Sequence, residues 1–179
     1  MSNPLVILCP GQGAQIVGMG KAWHDASPEA RAVFQAADRQ LGSRLGAPLS
    51  ELCFSGPPER LNKTDVSQPA IFVASIACWK GLLAKWQFGE GEIPIAASAG
   101  LSLGEYSALV VAGAMSFEEG LELVTLRGRA MQDAAEASPG GMVALIGADE
   151  AQAVARARKI CADPHHVIEV RPVGWRWRR

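Results

Sequence analysis

Apolar residues in this chain come in short continuous runs and in helical stripes, and the two patterns alternate. Residues 5–9, LVILC, form a five-residue apolar run closed by Pro10 and Gly11. A run that short, followed by turn formers, predicts a buried strand of the parallel-sheet kind. SPEARAVFQAADRQLG predicts a helix with Ser27 as N-cap, Pro28 at its first position and Gly42 past its end. Residues 66–86, VSQPAIFVASIACWKGLLAKW, are apolar nearly all round and predict a long central helix buried on most sides. IPIAASAG (93–100) predicts a second strand, and GEYSALVVAGAM continues it as a helix of small residues. Ser116 and Glu119 stand three apart as a capping box, opening another long helix through about Ala137. SPGG (138–141) breaks that helix. Beyond it, MVALIG (142–147) predicts a strand, DEAQAVARARKICA a helix, and HVIEV (166–170) another strand.

Strands alternating with helices predict an α/β layer fold on a parallel sheet. Residues 1–138 form the large unit of this expectation. Residues 139–170 read as a separate β-α-β unit, begun and not finished. The tail, 171–179, stands apart: RPVGWRWRR holds four of the 17 Lys and Arg residues and two of the five Trp. It reads as a disordered basic end, as a short membrane or nucleic-acid arm, or as a shifted reading frame. The abrupt change in composition after Val170 favours the last.

Composition narrows the function. A length of 179 residues fits one domain, or one domain with a fragment of another, and 49% hydrophobic residues suffice for a sizeable core. A net charge of −1 gives no global field toward nucleic acid or an anionic membrane. Cys9, Cys53, Cys78 and Cys161 include no CxxC pair, and His24, His165 and His166 do not join them at metal-like spacing. They read as core thiols of a reducing compartment, with no metal site. The N-terminus shows no basic leader, and no stretch reads as the ~18 apolar residues of a membrane span. The expectation is a soluble, cytoplasmic protein.

The candidate chemistry centres on AASAGLSLGEYSALVVAGAM (97–116). Here Ser102 lies between Gly100 and Gly104 in a G-x-S-x-G frame, with an apolar strand before it and a helix after it. A tight strand-to-helix turn pushes a serine hydroxyl out of the backbone, and the free amides of the following helix can stabilise an oxyanion. The alternative is a plain turn serine. The earlier loop, PGQGAQ, is not a dinucleotide fingerprint, because Ile16 stands where the third glycine would be; nor does G-K-[ST] follow, as a phosphate loop requires. Its amides are free for something else, and the carbonyl oxygen of an acyl group on Ser102 is one candidate. Arg127 falls at helical spacing among Leu123, Val124, Ala130, Met131 and Ala134, an apolar face, while Arg129 lies round the side with Glu122 and Asp133. An arginine on an apolar face needs a carboxylate. Spacing leaves two sources open: an internal partner such as Glu105, or a substrate carboxylate held by the planar fork.

PGQGAQ, then GLSLGEYSAL about 90 residues on, then LRGRAMQ, then GGMVALIG: four motifs in this order resemble the malonyl-CoA:acyl-carrier-protein transacylases. The chain is similar also to the acyltransferase domains of polyketide synthases. The resemblance covers roughly residues 4–170. It implies an α/β-hydrolase-like domain with an inserted ferredoxin-like subdomain, of which 139–170 match the first half. It implies that Ser102 takes a malonyl group from malonyl-CoA as an ester and yields it to the phosphopantetheine thiol of acyl carrier protein, with no bound cofactor. By the same resemblance the amides of Gln12 and Leu103 form the oxyanion hole and Arg127 binds the malonyl carboxylate. Gln68 and Met131 line the pocket, and Glu105 is structural. Two departures stand out. Leu101 replaces the histidine that usually precedes the nucleophile, an exchange expected to be tolerated. The family's catalytic histidine follows the small subdomain and is not among these 179 residues; His165 and His166, in a DPHH turn, read as surface residues. These residues by themselves are therefore expected to be inactive or nearly so. A serine esterase or thioesterase, and a carrier-binding pseudoenzyme fragment, are the alternatives.

Overall fold

The computed structural model describes residues 4–89, 92–137 and 149–160. The chain divides at Pro139/Gly140 into two units. In the first, the elements run β1 (Leu5–Cys9), α1 (Lys21–Ala26), α2 (Pro28–Leu41), α3 (Leu49–Ser55), α4 (Pro58–Leu61), α5 (Thr64–Trp86), β2 (Ile95–Gly100), α6 (Gly104–Val111) and α7 (Phe117–Ala137). In the second, α8 (Glu150–Ile160) is described by itself. Its N-terminus is tied by Asp149 Oδ1, which accepts from the Gln152 amide at 2.8 Å. The predicted strands at 142–147 and 166–170, Cys161, His165, His166 and the 171–179 tail lie outside the described residues.

The core is built on α5. Thirteen of its residues, from Asp65 to Leu83, are buried, and their side chains point in all directions round the axis. A helix that is apolar all round has to be covered on every side. The α2 and α7 helices supply most of that cover. On α2, Ala30, Val33, Phe34, Ala37 and Leu41 recur at helical spacing as one buried stripe. Its start is the expected one: the Ser27 hydroxyl accepts from the Ala30 amide at 3.3 Å, and Pro28 sits at the first position. The capping box of α7 also forms. Glu119 Oε2 accepts from the Ser116 amide at 3.0 Å, and the Ser116 hydroxyl accepts from the Glu119 amide at 3.2 Å. The Ser116 hydroxyl, which also donates to Glu119 Oε2 at 2.7 Å, and then the Ser116 amide favour the charged carboxylate and hold Glu119 below its ordinary pKa.

Three expectations change here. The central helix starts at Thr64, two residues before the apolar run, and carries Pro69 inside it. It is also long and apolar enough to cross a membrane, with a mean hydropathy of 1.3 over its best window, against the reading that no stretch is. Since 67% of that window is buried within the protein, packing accounts for its composition. Finally, Cys53 is a core thiol, pushed up to about 12 by burial and by the nearby Asp38 carboxylate, but Cys9 and Cys78 are only half-buried.

β1 and β2 pair in parallel, from Leu5 opposite Ile95 to Cys9 opposite Gly100, with one irregularity after Leu5. The α/β class holds, but β1 is not the strand buried on both faces that its apolar run predicts. Leu5, Ile7 and Cys9 turn inward, whereas Val6 and Leu8 on the opposite face are 59% and 77% exposed. Continuous apolar sequence in a parallel strand is the signature of two covered faces, and among the described residues only one is covered. A groove of about 480 Å³ opens between α5, β2 and α6, floored by Ile76, Leu83 and Ile95.

This bare face has a measurable consequence. Replacing Val6 and Leu8 together with Thr should change the unfolding free energy by less than about 1 kcal/mol, as exposed substitutions do. It should also reduce self-association and dye binding of the 179-residue chain. A loss of several kcal/mol in urea unfolding would show that the face is covered.

Candidate active site

The site forms where β2 runs into α6. Ser102 sits at the apex of that turn with φ 55°, a left-handed conformation that a serine adopts only at a cost. Both flanking glycines are steric requirements. A Cβ on Gly100 would run into the Gly104 carbonyl and lie 2.7 Å from the Glu105 amide. A Cβ on Gly104 would collide with the Cys9 carbonyl and lie 3.0 Å from that of Pro10. The turn can therefore fold back on itself and lean on the end of β1 only if both positions lack side chains. Leu103 is fully buried beneath the apex, and Ser98 on β2 donates to the Ala108 carbonyl of α6 at 2.9 Å. Strand, turn and helix are thus pinned together, and the Ser102 hydroxyl is left exposed.

The first glycine loop rests on this turn. A Cβ on Gly11 would lie 2.8 Å from the Leu101 carbonyl oxygen, so the loop backbone passes directly against the residue preceding the serine. The loop is also tied to the start of α5. Gln12 Nε2 donates to Thr64 Oγ1 at 3.2 Å, and Gln15 Nε2 donates to Asn62 Oδ1 at 3.0 Å. Among the described residues the amides of Gln12 and Leu103 donate to no acceptor. Burial raises the pKa of the Cys9 thiol at the end of β1, which keeps it protonated and a poor nucleophile.

Arg127 reaches the serine from α7. Its Nη2 donates to Ser102 Oγ at 2.8 Å and its Nη1 donates to Gln68 Oε1 at 2.6 Å, while the guanidinium lies 5.9 Å from the centre of the Tyr106 ring. Gln68, on α5, is fully buried, and its Nε2 contacts the Met131 sulfur at 3.1 Å. The two helices come close enough for this because Gly128 follows Arg127: a Cβ there would lie 2.9 Å from the Thr64 carbonyl oxygen. Ser102, Arg127, Gln68 and Met131 are thus one connected cluster. Glu105 is exposed and is not Arg127's partner, and Arg127 forms no ion pair among the described residues. The apolar face expected around Arg127 is also different. Gly120, Leu121, Val124, Thr125 and Gly128 are the buried side of α7, while Leu123 and Leu126 are 46% and 57% exposed.

Sequence reasoning missed Tyr106, Thr64 and Gln132, whose Oε1 accepts from the Thr64 amide at 2.9 Å. Tyr106 carried a signal. It is the only tyrosine in the chain and stands four residues after Ser102, one helical turn away. His24 is not at this site; it packs against Phe34 and Phe54 and bonds Asp25. No cluster of His, Cys, Asp or Glu fit for a metal occurs among the described residues.

Residues 6–168 match the family model described as the acyl transferase domain. The chain belongs to that family. A malonyl CoA-acyl carrier protein transacylase of Salmonella typhimurium is 45% identical over 166 residues, 93% of this chain and 50% of the relative. The mitochondrial malonyl-CoA-acyl carrier protein transacylase of Homo sapiens is 45% identical over 159 residues, 87% and 39% of the two chains. The crystal structure of a malonyl CoA-acyl carrier protein transacylase from Clostridium perfringens superposes with a TM-score of 0.70 at 39% identity, covering 93% of this chain and 49% of that one. A malonyl-transacylase solved in complex with its type II PKS acyl-carrier protein gives 0.69 at 38% identity, with 89% and 48% covered. The acyl transferase domain described here therefore spans about half the length of the relatives it matches.

The backbone argument is open to test by unfolding. Ser102→Gly removes the left-handed penalty, whereas Ser102→Ala keeps it, so the glycine variant should be the more stable by about 1 kcal/mol. Gly104→Ala should cost about 1–3 kcal/mol by overpacking. An alanine variant of Ser102 as stable as the glycine variant would show that the turn is unstrained.

Proposed function

We propose that this chain carries the nucleophile and the carboxylate grip of an acyltransferase that moves a malonyl group from malonyl-CoA to the phosphopantetheine thiol of acyl carrier protein. The observation that carries the reading is the 2.8 Å contact between Arg127 and Ser102 Oγ. A guanidinium that close to the acylated atom suits a short diacid, whose free carboxylate lies only two carbons from the ester carbonyl. A longer diacid would overshoot it.

In this reading the Ser102 oxygen attacks the thioester carbonyl, its proton passes to a general base, and the carbon–sulfur bond breaks to release coenzyme A. The thiol of the carrier then attacks the ester carbonyl, and the serine oxygen recovers a proton as it leaves. The amides of Gln12 and Leu103 are the proposed donors to the oxyanion, supported by their lack of another acceptor among the described residues and by the packing of Gly11 on Leu101. Arg127 releases Ser102 as the malonyl carboxylate takes its place in the fork, which frees the oxygen for attack. The names of the relatives, and the neighbour solved with an acyl-carrier protein, favour this acyl group and this partner.

General-base help is worth roughly 10²–10⁴ in rate. No side chain among the described residues occupies that role at Ser102, whose oxygen meets only Arg127. We propose that 1–138 is the acyltransferase part and 139–170 part of a small inserted subdomain, with the base supplied from beyond them. The purified 179 residues should accordingly form at most a slow malonyl ester on Ser102, seen by intact mass, absent in Ser102→Ala and lost with acetyl-CoA. Sustained transfer to holo-acyl carrier protein would refute the dependence on an outside base. Steady release of free malonate with no transfer would instead identify a hydrolase.

A further inference from the structure

Arg127 carries a permanent charge, and a half-buried guanidinium without a counter-ion is unusual. Among the described residues its hydrogen-bond acceptors are neutral: an amide oxygen and a hydroxyl. The amide is not free to turn. Gln68 is fully buried, its Oε1 faces a group that only donates, and its Nε2 faces the Met131 thioether, which only accepts. Flipping the amide would set N–H against N–H at Arg127 and oxygen against sulfur at Met131. One orientation therefore satisfies both neighbours, and both select it.

A glutamate would fit the same space with nearly the same shape. It would also neutralise the guanidinium and occupy part of its fork with a charge-assisted bond. The amide holds the guanidinium through a dipole and leaves the net charge for an incoming anion. We propose that Gln68 is the specificity-determining positioning residue of the site. It fixes Arg127 beside Ser102 while leaving its charge uncompensated among the described residues, and Met131 supports the amide by accepting from its other end. The inference rests on the reading of Arg127 as a carboxylate grip, and it assigns to Gln68 and Met131 a role other than forming the pocket wall. Gln68, with no exposed surface, acts on the acyl group through Arg127.

Calorimetric binding of malonyl-CoA and acetyl-CoA to the 179-residue chain tests this. The unchanged chain should prefer malonyl-CoA. Gln68→Glu should weaken malonyl-CoA at least about tenfold, the scale of one charge-assisted hydrogen bond, while acetyl-CoA changes by less than about twofold. Met131→Leu, close in volume, removes the acceptor of Gln68 Nε2, loosens the amide that holds Arg127, and should lower the malonyl preference by a smaller factor. A merely structural role would weaken both ligands together or neither. An unaltered malonyl-to-acetyl ratio in Gln68→Glu, or a parallel loss of both ligands, overturns the proposal. Should Gln68→Glu fail to fold by circular dichroism, an unaltered ratio in Met131→Leu overturns it instead. If the unchanged chain shows no preference, the carboxylate grip itself fails, and this inference with it.

Discussion

The contact between Gly104 and the carbonyls of Cys9 and Pro10 is the constraint on which the site depends. It joins the end of β1 to the start of α6 with no side chain between them, and that closeness fixes the turn holding Ser102. Because the turn is fixed, Leu103 can be fully buried under the apex and Ser102 can be held at φ 55°. A left-handed serine survives only where its surroundings over-determine it. Here they do so by backbone sterics, through Gly100 and Gly104, and no hydrogen bond from Ser102 to a distant residue is needed to hold the turn. The position of Ser102 is thus a property of the strand–turn–helix unit alone.

Arg127 is placed by a second and independent close approach. Gly128 lets α7 settle on the first turn of α5, and this brings Arg127 level with Gln68. The two approaches converge on one oxygen, Ser102 Oγ. Each uses glycine for the same reason: the helix-to-helix or helix-to-strand distance is shorter than a methyl group permits. The polar ties from Gln12, Gln15 and Gln132 to the residues at the start of α5 then hold the glycine loop and α7 to a common anchor.

Those parts of the site that depend on local sequence were legible before the fold was known. The elbow around Ser102, the Ser27 and Ser116 caps and the all-round apolar character of α5 each follow from neighbours within a few residues. What was not legible depends on contacts far along the chain. Gln68 and Arg127 are 59 residues apart; the family resemblance named both for one site, but no spacing rule predicts the bond between them. The face of Arg127 was misread for a related reason. Helical periodicity identifies an apolar stripe but not which stripe meets a partner, and α7 buries its glycine side while exposing Leu123 and Leu126. The α1, α3 and α4 helices, six, seven and four residues long, are too short for periodicity to register. The exposed face of β1 was misread because an apolar run specifies what a strand can bury, and the described residues supply cover for one side only.

Recognition and proton transfer separate cleanly in this arrangement. The groups that would grip a carboxylate lie between Gln68 and Met131, on α5 and α7, within one core. A base at Ser102 would have to come from elsewhere, since among the described residues the only side chain bonded to the hydroxyl is a donor. On the proposed reading charge selectivity persists under conditions in which chemistry does not, because it needs only the α5–α7 contact and a guanidinium without a counter-charge among the described residues. The rate of acyl transfer, by contrast, requires a proton acceptor within hydrogen-bond reach of a serine held by its backbone. On the proposed reading the two tasks meet only at the Arg127–Ser102 contact, so a change at the base would alter turnover more than affinity.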